Sequence, residues 1–579
     1  MERHSYDFVI VGGGTAGCVV AARLSENPKF RVALIEAGPD LVPGKEPAHI
    51  RDLFPVAYGD PANTWSNLVA EVGCDPGDSE PVYSRQFNQG RVLGGCSSIN
   101  GMLAQRGLAS DYDEWEALGA TGWSWKGVLP FFNKLERDWD CDGPLHGKAG
   151  PIDIRRARRQ DAPPFSAAML DAMQDAGYSF HCDMNGYFGD CITTVPLNNT
   201  PNGRVSAATA YLTKEVRQRS NLTVLTDTNV SRLLISNGRV TGVEYEQGAG
   251  ALVLDAQEVI VSGGAIQTPL LLMRSGIGPK EQLERAGISV LVDRQGVGQS
   301  LFNHAATYLA VHMPRGAQQS KTQNTWASTL LRYSSKHPGS PPGDMQIFPS
   351  NRSAWHPLGW RVGVVGMFLY KPFSKGYVAL NAKDPAGPPI VKFRLLSDPR
   401  DFDRMVDCVA KTAYLLASPK LNHVINDAFV PPGGQANSLN KPGLLNLAKS
   451  YFINWIFDFP FGVRRYLLRK HIVDLNLLAV DRSACAKIVR KTAAGVHHVS
   501  GTCRMGRPED DRAVVDPRGR VYGVQGLRIA DASVMPSIVS ANIHIPVLMI
   551  GEKIAEMIAA DYALATAEPV SNTRIAGTY

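Results

Sequence analysis

The 579-residue chain holds no window approaching the ~18 uncharged apolar residues that a bilayer-spanning helix requires. Its nine cysteines, at positions 18, 74, 96, 141, 182, 191, 408, 485 and 503, are odd in number and form no Cys-x-x-Cys pair. That scatter excludes a disulfide framework and a zinc knuckle, and it fits a reducing compartment. The first strand-like run begins within about six residues of Met1, which leaves no space for a secretory signal peptide. A cytoplasmic protein without a bound metal is the expectation. Internal repeats and low-complexity tracts are missing too. Charge of one sign is scarce: 60 Lys and Arg stand against 54 Asp and Glu, and the basic residues are spread along the chain. No nucleic-acid partner is expected. What remains is an ordinary globular composition, 44% hydrophobic and 20% charged. The length suits two large folding units, or one domain with a second interleaved in it.

The most informative run is Asp7-Phe-Val-Ile-Val-Gly-Gly-Gly-Thr-Ala-Gly-Cys18. A short β-rich stretch feeds into Gly12-x-Gly14-x-x-Gly17, and a helix-compatible run follows. Glycines at these positions permit a tight turn, close approach of backbone to a pyrophosphate, and close helix–strand packing. The helix N-terminus then offers free N–H groups to phosphate charge. A second apolar strand, Arg31-Val-Ala-Leu-Ile-Glu36, ends in a carboxylate nineteen residues after Gly17. That carboxylate is placed to accept hydrogen bonds from an adenosine ribose. The chain is read as binding an adenine dinucleotide through Gly12, Gly14, Thr15, Ala16, Gly17, Glu36 and Ala37. Glu36 suits NAD and FAD equally, so these residues leave that choice open.

Further segments resemble the signatures of the glucose–methanol–choline (GMC) flavoprotein oxidoreductases, in their choline dehydrogenase and alcohol dehydrogenase-like branch. Gly90-Arg-Val-Leu-Gly-Gly-Cys-Ser-Ser-Ile-Asn100-Gly resembles the first, and Gly264-Ala-Ile-Gln-Thr-Pro-Leu-Leu-Leu-Met-Arg-Ser-Gly-Ile-Gly278 matches the second. Gly296-Val-Gly-Gln-Ser-Leu-Phe-Asn-His304 resembles a third, with Ser300 and Asn303 as departures. His498-Val-Ser-Gly-Thr-Cys-Arg-Met-Gly506 and the segment from Val515 to Ser533 complete the set. The resemblance runs in family order over most of the chain, and it implies FAD.

It also implies an α/β (α+β overall) architecture: a Rossmann-like FAD-binding domain with an inserted antiparallel-sheet substrate domain. The expected boundaries are 1–160, 200–305 and 495–579 for the first, and 161–199 and 306–494 for the second. Within the first, 222–264 reads as short strands separated by turns such as Asn237-Gly238. The stretch 378–392, with flanking strand-like pieces, is expected to build the antiparallel sheet of the second. The Pro- and Ser-rich stretch 335–342 reads as a mobile surface loop.

The resemblance implies flavin contacts along Arg91, Gly95, Cys96, Ser98, Asn100 and Gly101, an adenine contact at the backbone of Val230, and ribityl or phosphate contacts at Asp531 and Ala532. Ile99 occupies the place where some relatives attach FAD through a histidine, so FAD is expected to be non-covalent. Arg204 is expected to be structural. His498 falls at the family's catalytic histidine, and a histidine suits removal of a hydroxyl proton because its ordinary pKa lies near operating pH. Whether it acts as a base or as a cation beside an alkoxide stays open. In an extended segment His497 points the other way, so one of the pair should face the flavin. Asn542 is the implied partner, an amide that holds the substrate oxygen. His544 stands where asparagine is usual, either as a second active-site group or as a backbone contact to the flavin, and the backbone contact is favoured.

The segment 444–472 matches no signature. It carries Tyr451, Phe452, Ile453, Trp455, Ile456, Phe457, Phe459 and Phe461, then Arg464, Arg465, Arg469 and Lys470. Aromatics beside a basic cluster suit the boundary of an anionic bilayer, and its longest uncharged run, 450–457, is too short to span one. The alternative is a helix packed over the substrate entrance or against a subunit. The expected activity is oxidation of a primary alcohol, hydrophobic by preference, to an aldehyde by hydride transfer to flavin N5, with oxygen or a quinone-like carrier as acceptor. The alternative is an FAD-containing lyase of the same fold, hydroxynitrile lyase-like or fatty-acid photodecarboxylase-like.

Overall fold

A computed structural model describes residues 5–73, 83–247, 250–320, 323, 326–432, 439–440, 443–459 and 462–566. Its core is a parallel sheet in the order Leu222–Leu225, Val32–Ile35, Ser5–Val11 and the second half of Gly250–Val261, with Leu527–Ile529 beyond. Parallel strands are covered on both faces, so they read as apolar runs. Phe8, Val9, Ile10, Val32, Leu34, Val259 and Ile260 are accordingly buried to the last atom. The helices Thr15–Leu24 and His544–Thr566 pack together over this sheet.

The strand Gly250–Val261 serves two partners. Its first half pairs antiparallel with Arg239–Gln247, which pairs in turn with Asn229–Ser236. Asn237 and Gly238 both take positive φ (51° and 74°), the geometry of a tight hairpin turn. Leu222–Leu225 does not join this antiparallel meander and instead forms the parallel edge beside Val32–Ile35.

A second sheet is antiparallel throughout. Its order is Asp427–Phe429, Ala305–His312, Val362–Leu369, Met345–Ser350, Thr329–Tyr333 and Cys191–Thr194, with Ala494–Gly495 beside Ala305. The amphipathic helix Pro399–Leu416 covers it, capped by Asp398, whose side chain accepts from the Arg400 amide. The expectation that 378–392 builds this sheet is corrected by the structure. Tyr377–Ala379 and Ile390–Lys392 belong to a separate four-stranded sheet with Val69–Val72 and Tyr83–Gln86. Backbone bonds from Gly376 to Leu301 and from Val378 to Gly298 draw the segment there. The 335–342 loop is pinned at its base, where the Ser335 amide and hydroxyl both donate to Asp344.

Gly17 is the tightest point between helix and sheet. A Cβ there would overlap the carbonyl oxygen of Gly12, itself at φ 104°. Gly17→Ala is expected to push the helix off the strand and cost about 1–3 kcal/mol, as overpacking does. The measurement is the urea midpoint, and an unshifted midpoint would show that the contact is not tight.

Candidate active site

A cavity of about 800 Å³ opens at the C-terminal ends of the parallel strands and continues along the antiparallel sheet. At its inner end the helix Thr15–Leu24 begins at Gly14, with no side chain capping its first N–H groups. Gly95, at φ 54°, comes so close that a Cβ would lie 2.8 Å from the Gly14 Cα. The Glu36 carboxylate accepts from the Gly13 and Gly38 amides at 2.9 and 2.8 Å, and burial raises its pKa to about 7. An uncapped helix N-terminus, a glycine cradle and a carboxylate at the strand end together fit a dinucleotide.

Of the residues singled out from sequence, Gly12, Gly14, Thr15, Ala16, Glu36, Ala37, Gly95, Cys96, Asn100, Gly101, Val230, His498, Asp531, Ala532, Asn542 and His544 line this one cavity. Gly17, Arg91 and Ser98 do not. Gly17 is turned into the helix–strand contact, Arg91 lies over the Trp65 ring, and the Ser98 hydroxyl donates to the Leu93 carbonyl. Asp531 is bonded to the protein, accepting from the Gly264 amide, the Thr268 hydroxyl and the Ser533 amide. Arg204 is buried and bonds the carbonyls of Ile50 and Asn100.

His498 lies at the junction of the two sheets, just after Ala494–Gly495. Its Nδ1 lies 2.8 Å from Nδ1 of His304, and its Nε2 lies 2.9 Å from the Asn542 amide nitrogen. The Asn542 oxygen accepts from the Tyr370 hydroxyl at 3.0 Å, and His304 Nε2 lies 3.1 Å from the Val539 carbonyl. These contacts admit one proton arrangement. Val539 can only accept, so His304 is protonated at Nε2 and accepts at Nδ1. His498 must then donate from Nδ1, which leaves Nε2 unprotonated and accepting from the Asn542 N–H₂. Burial holds both rings neutral: the His498 pKa falls to about 3 and that of His304 far below its ordinary value. Among the described residues no carboxylate bonds either ring.

His497 corrects the sequence reading. It takes a left-handed φ of 65°, so the alternation of an extended segment fails there and both rings reach the cavity. His497 stacks on Phe87 at 4.4 Å and bonds the Tyr58 hydroxyl; His498 alone joins the Asn542 network. Among the described residues neither ring nitrogen of His544 has a hydrogen-bond partner, although the residue is buried against the cavity. Asn303, a departure from the resembled motif, accepts the His498 amide at 3.1 Å. His304 and Tyr370 carried no assignment from sequence; the third signature ends on His304, while Tyr370 lies in no motif.

A separate cluster brings Asp138, Cys141 and His146 within 4.8 Å of one another. Asp138 already takes two bonds from Arg156, and the Asp138, Asp183 and Glu136 carboxylates raise the His146 pKa to about 10. It is a closed network of opposite charges.

GMC oxidoreductase family models match residues 6–306 and 372–551. The chain is 39% identical to 5-(hydroxymethyl)furfural oxidase of Methylovorus sp. (strain MP688), covering 96% of this chain and 98% of that one. It is 32% identical to mitochondrial choline dehydrogenase of Homo sapiens, over 97% and 91% of the two chains. Pyridoxine 4-oxidase from Mesorbium loti superposes with a TM-score of 0.77 at 25% identity, covering 96% of this chain and 99% of the other.

Proposed function

The chain belongs to the GMC oxidoreductase family, FAD enzymes acting on CH–OH donors, and from that premise we propose that it oxidises a primary alcohol to an aldehyde with His498 as the base. The observation that carries this is the unprotonated Nε2 of His498, which accepts from the Asn542 amide where both residues line the cavity. Bound FAD supplies the two-electron sink that takes the hydride of the carbinol carbon. Gly12, Gly14, Thr15 and Glu36 would hold its dinucleotide end, and the unpartnered His544 ring would meet its other end. A bound hydroxyl would enter between His498 Nε2 and the Asn542 N–H₂ and replace their direct hydrogen bond; Nε2 then takes the hydroxyl proton while Asn542 donates to the same oxygen, so the substrate is aligned as it is deprotonated. The imidazolium then faces the alkoxide it has made, and His304 fixes its ring plane. Ile99 offers no nitrogen for a covalent link, and FAD is read as non-covalent.

Five aromatic side chains, Phe54, Tyr58, Trp326, Phe348 and Phe368, stand along the remaining wall, which favours an alcohol with an apolar body. Oxygen or a quinone-like carrier takes the electrons onward. The lyase alternative draws no support from the relatives, which are named as an oxidase and a dehydrogenase.

No helix of the described residues is long and apolar enough to cross a membrane. The helix Leu444–Phe457 nonetheless turns an apolar stripe outward, with Leu444, Phe452 and Trp455 at 86%, 60% and 56% exposure. We read this stripe as resting on an anionic bilayer. Its other side packs inward: Phe457 is buried against Ala310 and Phe429, with Ile453 partly so. The expectation of four free cations is corrected, since Arg464 and Arg465 both pair with Asp427 at 2.8 Å. Arg469 and Lys470 remain, at about 1 kcal/mol each near anionic lipid. Phe461 lies outside the described residues.

His498→Ala is expected to slow anaerobic flavin reduction by roughly 10²–10⁴-fold, the range for a positioned base, and Asn542→Ala by less. Because burial lowers the His498 pKa, its base form persists as pH falls, so the acid limb of kcat/KM should lie well below the ordinary histidine value of about 6.5. A rate that halves at pH 6.5, or a more damaging His497→Ala, would refute this assignment. Acid precipitation should release all flavin to the supernatant; colour left in the pellet would show a covalent bond. Sedimentation with phosphatidylserine vesicles should be salt-sensitive and lost when Trp455 and Phe459 become Ser. Protein that stays in the supernatant at low salt would leave the stripe without a lipid role.

A further inference from the structure

We infer that Arg352 is the anchor for a carboxylate at the far end of the substrate, so that the alcohols this enzyme is built for are hydroxy acids. The inference rests on the alcohol-oxidising reading of the same cavity and names its substrate class.

Arg352 lies just past the strand Met345–Ser350, lines the cavity, and is only 7% exposed. Its guanidinium is held against two rings, 4.5 Å from the centre of Phe54 and 4.3 Å from that of Trp360. Its Nε donates to the Ala354 carbonyl at 3.0 Å, and Nη2 reaches the Trp355 carbonyl at 3.5 Å. Nη1 has no hydrogen-bond partner among the described residues. Asp52 acts on it through space, and no carboxylate forms an ion pair with it among the described residues. A guanidinium removed from water without an anion is costly unless something pairs with it. With rings against it and two carbonyls on one side, the free edge suits a planar oxyanion met in plane, the geometry of a carboxylate.

The acidic groups around the rest of the cavity agree. Its acidic lining residues are Glu36 and Asp531, both bonded to protein amides at the dinucleotide end. The groups near Arg352 are the Ser350 and Ser353 hydroxyls, bonded to carbonyls, and the Gln346 amide, paired with Gln105. A quaternary ammonium alcohol would find no anion at this end and one like charge. Arg352 is also set away from the base. Ser350 pairs with Val364, and Tyr370 beside His498 lies six residues further along that strand, about 20 Å at 3.3 Å per residue. Phe348, Phe368 and Tyr308 line the interval. The fitting molecule has a hydroxymethyl group, an apolar spacer of several carbons, and a carboxylate.

The test uses the holoenzyme and Arg352→Met and Arg352→Lys variants of matched flavin content. Substrates are ω-hydroxyalkanoates of six to sixteen carbons, their methyl esters, and choline. The wild type should prefer the acid over its ester through KM, with an optimum chain length, and choline should be the poorest. Arg352→Met should raise KM for the best acid about 10–100-fold, the range for a hydrogen bond to a charged partner. The acid-to-ester ratio should then collapse toward one, with kcat moving less than KM, and Arg352→Lys should restore part of it. Equal KM for acid and ester in the wild type would overturn the inference. So would an Arg352→Met variant whose KM rises equally for both, which marks a packing role. Failure of every alcohol to bleach the flavin anaerobically would instead sink the alcohol-oxidising reading beneath it.

Discussion

Two imidazoles joined through their Nδ1 atoms hold the reactive end of this molecule in one protonation state. A backbone carbonyl can only accept, and Val539 therefore dictates the tautomer of His304, which dictates that of His498. The usual device for orienting a basic histidine is a carboxylate; here a chain of neutral donors and acceptors does it. That choice suits the burial, because a carboxylate in this enclosure would raise the imidazole pKa and fill the lone pair with a proton. It also needs three distant pieces of chain. His304 immediately precedes the strand Ala305–His312, His498 follows the short strand paired with Ala305 and Ala306, and Asn542 leads into the helix His544–Thr566. The sheet register at Ala305 thus sets the chemistry.

The cavity changes character along its length. The dinucleotide end carries two carboxylates already bonded to amides, the His304–His498 centre is neutral, and the outer end carries Arg352, which pairs with no carboxylate among the described residues. On the mechanism proposed above, a neutral centre would give the developing alkoxide no fixed charge to lean on, and its stabilisation would come from donors brought up beside it, Asn542 foremost. It also keeps the field of the outer arginine from being cancelled nearby.

What was legible in the sequence was what is local in the chain. Gly12 to Glu36 spans one strand–helix–strand unit, and its turn, helix start and terminal carboxylate all lie on one cavity wall. The pair His498 and Asn542 came through the signatures, and their side chains meet. Long-range pairing hid the rest. Alternation at 378–392 announced strands without saying which sheet would take them, and bonds to Gly298 and Leu301 made that choice. The period-two argument failed at His497 because one residue adopted a left-handed φ. Tyr370 and Arg352 belong to no motif; they face the cavity through the pairing of Met345–Ser350 with Val362–Leu369. Arg464 and Arg465 looked like a free basic patch, and Asp427, on a strand nearly forty residues earlier, neutralises part of it.

The outward aromatic stripe and the buried arginine share one support. The helix Leu444–Phe457 packs on the short turn Pro357–Trp360, and Trp360 is one of the rings against Arg352. Asn440, just ahead of that helix, accepts from the Trp355 indole at 2.8 Å and bonds His356 at 3.1 Å. The loop that positions the guanidinium is therefore braced by the segment that presents Phe452, Trp455 and Phe459 to the outside. An amphipathic acid lodged in a bilayer has the same division, an apolar chain with a charged end at the boundary. If the stripe rests on a bilayer as proposed, the cavity beside it would accept such a molecule without first dispersing it in water, which is the costly step for a long apolar chain at about 0.8 kcal/mol per methylene.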